Sequence, residues 1–232
     1  MHKSLIGLAA LLITYSATPA FADAITLDSS AIGQNYTFGY NGFADGTTIS
    51  GLTALATFTL TGITPTSYTF DYSLTNTTSA PLTSRVSSFA FNTNPDITSA
   101  TSTGAFSYTT LSSNYPNGIG TVDVCFKDAS TGACAGGGGG GVTTGQTGTG
   151  SFALNFAAPI TSLTLSDFFV RYQSITGAGN VSSASGSGTL TSTSSGGTPV
   201  PEPGMLGLLA GGVLAVAWRR RALQARPNHT FA

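Results

Sequence analysis

The sequence predicts an all-β protein: a single β-sandwich-like domain over residues 23–190, flanked by an N-terminal signal peptide and a C-terminal transmembrane helix. Three observations predict this fold class. Apolar and polar residues alternate with period two in many short runs, turn residues separate the runs, and no comparably long stretch repeats every 3.6 residues. Only 7% of the 232 residues are charged, and Gly, Ser and Thr fill the gap, as is typical of exported strands and turns.

The clearest strand is SYTFDYSL, whose apolar face is formed by Tyr68, Phe70, Tyr72 and Leu74. The preceding ATFTLT alternates in the same way, and the turn residues TGITPTS between the two predict a β-hairpin over 54–74. Further strands are predicted in AITL, NYTFGY, RVSSFAFN, TVDVCF, SFALNF and DFFVRYQSI, with a last one in SASGSGTL. Roughly eight to ten such strands are typical of a sandwich, with jelly-roll and Ig-like arrangements both left open.

The first 22 residues are predicted to be a signal peptide. Lys3 supplies the positive start, residues 5–13 form a short apolar run, and Ala20-Phe21-Ala22 is an A-x-A cleavage site. An uncleaved N-terminal anchor helix is the alternative, but the apolar run is short for one. We therefore expect signal cleavage after Ala22 and a mature chain that starts at Asp23.

The net charge of the domain differs from that of the whole chain, because the two ends carry most of the basic residues. Residues 23–199 contain three basic residues and eight aspartates, which gives a net charge of −5 against −1 for the whole chain. Residues 23–199 contain no run of basic residues that would neutralise phosphates, so we expect no nucleic-acid partner for the domain.

The domain also lacks the usual catalytic side chains. Both histidines, the only glutamate and the only tryptophan lie outside it, at His2, His229, Glu202 and Trp218. A domain without histidine cannot hold a Ser-His-Asp triad or a His-ligated zinc ion, and it lacks the common general acid–base residues. We therefore expect no enzymatic activity, no cofactor and no metal site. A secreted hydrolase is an alternative that requires the aspartates to cluster in a cleft.

The stretch CFKDASTGACAGGGGGGV is the most distinctive in the domain. Cys125 and Cys134 are nine positions apart, and an even cysteine count in an exported chain favours a disulfide. Strand residues before Cys125 and turn residues after it suggest that the bond closes a hairpin-like loop. Two unpaired thiols are the alternative.

Six glycines, residues 136–141, follow the second cysteine directly. The lysine and the following helix that a phosphate-binding loop needs are absent, so we reject nucleotide binding. We expect a mobile or closely approached loop that the disulfide pins at its start. Asp123 and Asp128 flank this loop, and a Ca²⁺ site there is an alternative, although the EF-hand pattern is missing.

A tripartite segment occupies residues 200–223, after a Gly/Ser/Thr linker at 191–199. Its parts are a Pro-Glu-Pro motif, an apolar run over 204–218 and an arginine block. As a helix the run would be roughly 22 Å long, which is short for a bilayer core that about 20 residues span. The positive-inside rule would place the tail, 224–232, in the cytoplasm. The residues that would fix this topology are Trp218, Arg219, Arg220 and Arg221.

Pro201, Glu202 and Pro203, followed by such a helix and arginine block, resemble the PEP-CTERM sorting signal of Gram-negative bacteria. The resemblance implies an exosortase at the inner membrane as a transient partner, which would cut near the motif and release the domain or attach it at the surface. It also implies an association with exopolysaccharide and biofilm matrix. A plain single-pass anchor is the alternative.

A second resemblance lies in the domain itself. SSFAFNTNPDIT, VDVCFKDASTGACAGGGGGGV, DFFVRYQSI and SASGSG resemble the cistern family of PEP-CTERM proteins, with Cys125, Cys134 and the glycine run as the hallmark. That family has no established activity to carry over, so the resemblance concerns identity and not mechanism.

Together these observations predict an exported, non-enzymatic surface or extracellular-matrix protein. The main alternative is a carbohydrate-binding module of the β-sandwich type, because that fold is a common frame for sugar binding although fold alone does not fix function. Without tryptophan, its sugar platform would be built from tyrosines, several of which fit the core equally well. The candidates are Tyr36, Tyr40, Tyr68, Tyr72, Tyr108, Tyr115 and Tyr172.

Overall fold

The computed structural model describes residues 23–130, 133–134 and 137–194. The predicted signal peptide and everything after Ser194, including the sorting motif and the arginine block, lie outside the described residues. Within the described ranges the fold is all-β, as predicted, with fourteen strands and two single-turn 3-10 helices. No helix in this part of the chain is long and apolar enough to cross a membrane.

The strands in chain order are β1 (Ile25–Leu27), β2 (Asn35–Tyr40), β3 (Phe43–Ala44), β4 (Thr47–Thr48), β5 (Ala54–Thr64), β6 (Ser67–Asn76), β7 (Thr83–Asn94), β8 (Ser99–Ser102), β9 (Tyr108–Tyr115), β10 (Gly120–Lys127), β11 (Val142–Thr143), β12 (Thr147–Asn155), β13 (Leu163–Thr176) and β14 (Ser183–Ser194). The 3-10 helices are Ser29–Ala31 and Gly104–Phe106. The predicted hairpin over 54–74 is confirmed, because β5 and β6 pair in antiparallel register.

The strands form one continuous sheet and not the two separate layers of a sandwich. Its order is β8-β12-β6-β5-β2-β14-β13-β7-β10-β9, and β1, β11, β3 and β4 add short pairings at its sides. The two end strands, β8 and β9, contact each other, and the Thr109 hydroxyl donates to the Ala100 carbonyl at 3.1 Å. The sheet is therefore nearly closed around its core, which corrects the predicted β-sandwich.

The pairing of β2 with β14 is the physical reason for this correction, since it joins the two halves of the sheet. The Asn41 N–H donates to the Ser187 carbonyl at 3.3 Å, and the Thr191 hydroxyl donates to the Thr37 carbonyl at 2.9 Å. The strand predicted in SASGSGTL is thus present, and it runs on to Ser194, four residues into the segment predicted as linker.

β14 needs small residues because the backbone and side chains of neighbouring residues lie very close to it. A Cβ atom on Gly186 would lie 2.1 Å from the Asn41 carbonyl oxygen, and one on Gly188 would lie 2.8 Å from the Tyr40 ring. Contacts below about 3 Å would force the backbone or the ring to move. A strand with larger side chains could not occupy this position in the sheet.

The core is a cluster of aromatic rings that both halves of the sheet contribute. Phe89 of β7 lies 5.5 Å from Phe58 of β5 and 6.0 Å from Phe152 of β12, measured between ring centroids. It also packs 4.8 Å from Phe126 of β10. Burial of one such ring stabilises the fold by about 1.5–3 kcal/mol, and each ring pair adds about 0.5–1.5 kcal/mol. The alternating aromatic residues of the sequence therefore supply the main packing energy.

We predict that Phe89→Ala lowers the free energy of unfolding by about 3–5 kcal/mol, because it removes a ring from the centre of this cluster and leaves a cavity. Leu55→Ala is the matched control, since Leu55 lies on the outer face of β5 and is 41% exposed; its effect should stay within about 0.5 kcal/mol. Equilibrium denaturation in guanidinium measures both values. Equal losses for the two variants would contradict the assigned core.

Candidate functional site

The predicted disulfide is present and pins the loop after β10 to the outer face of the sheet. Cys125 and Cys134 are bonded, with their Cα atoms 5.7 Å apart, and both residues are buried. The Cys134 carbonyl accepts a hydrogen bond from the Ser88 hydroxyl at 2.8 Å, and its N–H donates to the Ser113 hydroxyl at 3.2 Å. The start of the loop is therefore fixed by the bond and by two strands.

The side chain of Arg85 in β7 forms hydrogen bonds to the glycine segment, residues 137–141. Its Nη1 donates to the Gly140 carbonyl at 2.7 Å, and its Nη2 donates to the Gly138 carbonyl at 2.6 Å and to the Gln173 side-chain oxygen. The same guanidinium pairs with Asp128 at 2.5 Å. The sequence left two possibilities for this loop, a mobile one and a closely approached one. Residues 138–140 form a closely approached loop.

The end of this segment requires glycine for a steric reason. Gly141 has a φ of +85°, and a Cβ there would lie 2.3 Å from the Val86 carbonyl oxygen. At Gly140 a Cβ would lie 3.3 Å from the Cβ of Asp128, which is a tight contact. Gly140 and Gly141 let the backbone pass close to Asp128 and to β7, so that the carbonyls of Gly138 and Gly140 can face the guanidinium of Arg85.

The ion pair between Arg85 and Asp128 is almost fully removed from water, with side-chain exposures of 9% and 0%. A buried pair is stable only when further hydrogen bonds satisfy both charged groups. The two glycine carbonyls do this for Arg85, and the Gly137 N–H donates to the Asp128 carboxylate at 3.4 Å. The arrangement joins β7, the end of β10 and the glycine segment into one polar cluster.

The Ca²⁺ alternative at Asp123 and Asp128 finds no support in this geometry. Asp128 is engaged by Arg85, and the Asp123 carboxylate accepts the Thr93 N–H at 2.8 Å. Among the described residues, no three His, Cys, Asp or Glu side chains are grouped so that they could hold a metal ion.

Other aspartates link parts of the backbone. Asp28 accepts hydrogen bonds from the hydroxyl and the N–H of Ser30 at the start of the first 3-10 helix, and these bonds lower the pKa of its carboxyl. Asp23 accepts the Leu190 N–H at 2.5 Å, and Asp167 accepts from the Asn92 amide at 3.0 Å. These three carboxylates thus act as local links at separate places in the fold and form no cluster of the kind that the hydrolase alternative requires.

The tyrosines do not form a sugar platform in the described part of the chain. Six of the seven candidates are at most 6% exposed: Tyr36, Tyr40, Tyr68, Tyr72, Tyr115 and Tyr172. Burial also raises the pKa of the Tyr40, Tyr115 and Tyr172 hydroxyls. Tyr108 is 44% exposed, whereas Tyr115 at the other end of β9 is buried. The stacking surface that the carbohydrate-module alternative predicted is therefore absent from these residues.

Two buried arginines were missed by the sequence analysis. Besides Arg85, Arg171 of β13 is only 7% exposed; its Nη2 donates to the Ser183 hydroxyl at 2.8 Å, and burial lowers its pKa. A signal was available, because both lie inside predicted strands in a domain with only three basic residues. Such a rare charge within a strand indicates a structural role.

Comparison with known proteins identifies only the C-terminal segment. Residues 199–221 match the family model of the PEP-CTERM protein-sorting motif. The match includes Pro201-Glu202-Pro203 and extends into the arginine block, all outside the described residues. Searches of curated proteins and of solved structures gave no match. The motif supports an exported protein that an exosortase processes after a membrane-anchored intermediate.

We predict that Arg85→Met lowers the free energy of unfolding by about 3–5 kcal/mol, because it leaves the Asp128 carboxylate buried without its partner. The double variant R85M/D128L should lose clearly less than the two single losses combined, since it removes both charges. Guanidinium denaturation measures all three variants. Asp96→Asn, an exposed change in a loop, is the control, and an R85M loss as small as the control's would contradict the structural role.

We predict that reduction of the disulfide lowers the free energy of unfolding by about 2.7 kcal/mol, the chain-entropy value for a loop of about ten residues. Urea denaturation with and without a phosphine reductant measures the difference, and a mass increase of about 2 Da confirms reduction. The variant C125A/C134A should show no response to the reductant. A response of equal size in that variant would assign the effect to something other than this bond.

Proposed function

We propose that this chain is an exported, non-enzymatic surface or extracellular-matrix protein that an exosortase cleaves near Pro201-Glu202-Pro203 and that associates with exopolysaccharide. The match of residues 199–221 to the sorting motif carries the proposal. The N-terminal signal-peptide pattern, with its Ala20 and Ala22 cleavage positions, supports export by the same route.

The chain geometry is compatible with cleavage of a folded substrate. The last strand ends at Ser194, and six residues separate it from Pro201. Six residues can extend to roughly 20 Å, and their composition is that of a flexible linker. We therefore expect the protease to reach the motif without unfolding of the domain. A span of only about 15 apolar residues suffices for this step, because it holds the chain only until cleavage.

The non-enzymatic part of the proposal draws its support from how the domain uses its polar residues. Arg85 and Asp128 stabilise a loop, and Asp23, Asp28, Asp123 and Asp167 accept hydrogen bonds from neighbouring N–H or amide groups. A catalytic carboxylate needs access to substrate and a pKa near the working pH. These carboxylates are instead engaged in holding the fold together, as expected of a scaffold that must persist outside the cell.

We also propose membership of the cistern family of PEP-CTERM proteins. Its support is the combination of Cys125, Cys134 and the glycine run, which the structure brings into one polar and disulfide-linked region. The alternative function, a carbohydrate-binding module, would have to work without the tyrosine platform described above, through polar side chains on the sheet surface.

We predict that the mature protein, purified from the medium or the cell surface, starts at Asp23 and ends between residues 199 and 203. Glu202→Ala should block processing, because it removes the charged residue of the motif, and the variant should stay in the membrane fraction with Trp218 and the arginine block. Intact-mass spectrometry measures both chains, and Thr198→Ala is the control that should still be processed.

A wild-type mature chain that retains Trp218 would contradict cleavage and indicate a permanent anchor. Additional mass on a correctly cleaved chain would identify the glycan or lipid to which the exosortase attaches it.

A further inference from the structure

The outer surface of β2, β5, β6 and β12 is a hydroxyl-rich face without a cover among the described residues. Strand register aligns its side chains in rows that cross the sheet. One row contains Thr37, Thr57, Ser73 and Thr149, and the next contains Asn35, Thr59, Asp71 and Ser151. Neighbouring strands lie about 4.8 Å apart, so each row places polar groups at sugar-sized intervals.

A groove lies on this face where β5, β6 and β12 meet the end strand β8. Its volume is about 270 Å³. Its polar lining residues carry one charge, the carboxylate of Asp71, and its apolar lining residues are Phe70, Phe152 and Ala153; the polar ones are Thr61, Thr69, Asp71, Thr101, Ser102, Thr103 and Ser151. A groove so lined offers hydrogen-bond donors and acceptors at close spacing beside a small apolar floor.

Hydrogen bonds within the groove fix the orientation of its hydroxyls. The Thr61 hydroxyl donates to the Thr69 carbonyl at 3.1 Å, and the Thr69 hydroxyl donates to the Gly62 carbonyl at 3.1 Å. Thr103 and Ser151 share a hydrogen bond between their hydroxyls at 3.0 Å. Since each hydroxyl has two acceptor lone pairs, these groups can still accept from a ligand, and their rotamers are already ordered before it binds.

Asp71 differs from the aspartates that link the fold. Its side chain is exposed in the groove, and it makes no hydrogen bond or ion pair within the described part of the chain. An ionised carboxylate accepts up to about four hydrogen bonds and gives them roughly twice the strength of neutral ones. Asp71 is therefore an unused strong acceptor in the centre of a set of ordered hydroxyls.

This chemistry selects one class of ligand. Two adjacent hydroxyls of a sugar ring can donate to the two oxygens of Asp71 while the surrounding hydroxyls exchange hydrogen bonds with the rest of the ring. No lysine or arginine lines the groove, and the net charge of residues 23–199 is −5, so an acidic polymer would be repelled. Phe70 and Phe152 at the groove are at most 3% exposed, so among the described residues no aromatic ring can stack on a sugar there. We therefore expect weak binding at each groove, which many copies on one polymer would strengthen.

We propose that the Asp71 groove binds a neutral polysaccharide through pairs of adjacent sugar hydroxyls. The proposal deepens the proposed function and rests on it, because exopolysaccharide is the partner that an exported matrix protein meets. It places the contact on the sheet surface and not on tyrosines, and it assigns the carboxylate of Asp71 as the principal acceptor.

The test uses the processed full-length mature protein and the exopolysaccharide of the producing cells, separated by anion exchange into neutral and acidic fractions. Affinity electrophoresis through gels that contain either fraction measures binding. The wild-type protein should be retarded by the neutral fraction. Asp71→Ala should weaken that retardation roughly tenfold or more, as expected for the loss of hydrogen bonds to a charged group.

Asp96→Asn and Thr75→Val are the matched controls. The first changes an exposed aspartate in a loop, and the second removes a hydroxyl from the same face outside the groove; both should bind as the wild type does. Circular dichroism checks that every variant is folded. Retardation by the acidic fraction alone, no retardation by the neutral fraction, or equal binding by Asp71→Ala would each overturn the proposal. Failure of the broader function is seen separately, as a mature chain that is not cut at residues 199–203.

Discussion

The pairing of β2 with β14 is the interaction on which the architecture depends. It is the one link in the strand order between the half of the sheet built around the β5–β6 hairpin and the half built around β7 and β13. The pairing is possible because β14 is made of small residues, so that Gly186 and Gly188 admit the Asn41 carbonyl and the Tyr40 ring. Both halves then direct their aromatic residues into one core, and their outer faces become free for different uses.

Those two outer faces differ in chemistry. The side that carries β7 and β10 is covered by the disulfide loop and the glycine segment. The ion pair between Arg85 and Asp128 helps to hold these segments in place. The side that carries β5, β6 and β12 is open and almost uncharged, with hydroxyls in most positions. In a protein that is only 7% charged, Thr and Ser therefore supply most of the polar surface on this side.

The strands with alternating aromatic residues could be predicted from the sequence, and so could the disulfide, because both depend on local pattern or on cysteine count. The closure of the sheet could not, since it depends on β2 meeting a strand of glycines and serines about 150 positions later. β8, with the sequence SATS, and β9, with YTTLSSNY, lack regular alternation and are defined only by their partners.

The polar cluster of Arg85, Asp128 and the glycine segment could likewise be predicted only in part from the sequence. The glycine run was recognised as closely approached or mobile, but the group that holds it, Arg85, lies about 50 positions earlier within a strand. The rarity of a basic residue within a strand indicates that Arg85 has a structural role, but it does not identify the loop that will cover the side chain. The groove around Asp71 depends likewise on the register of four strands, which fixes which hydroxyls are neighbours only after the sheet is assembled.

The contact between Asp23 and the Leu190 N–H has a mechanical consequence. It places the first residue of the domain beside its last strand, so the chain enters and leaves the fold at neighbouring points. β14 lies inside the sheet, between β2 and β13. A pull at the C-terminal end would first load the part of β14 beyond Ser187, because the pairing with β13 covers only Ser183–Ser187. A tether at that end would therefore load the contacts of β14 with Thr37 and Asp23 before its pairing with β13.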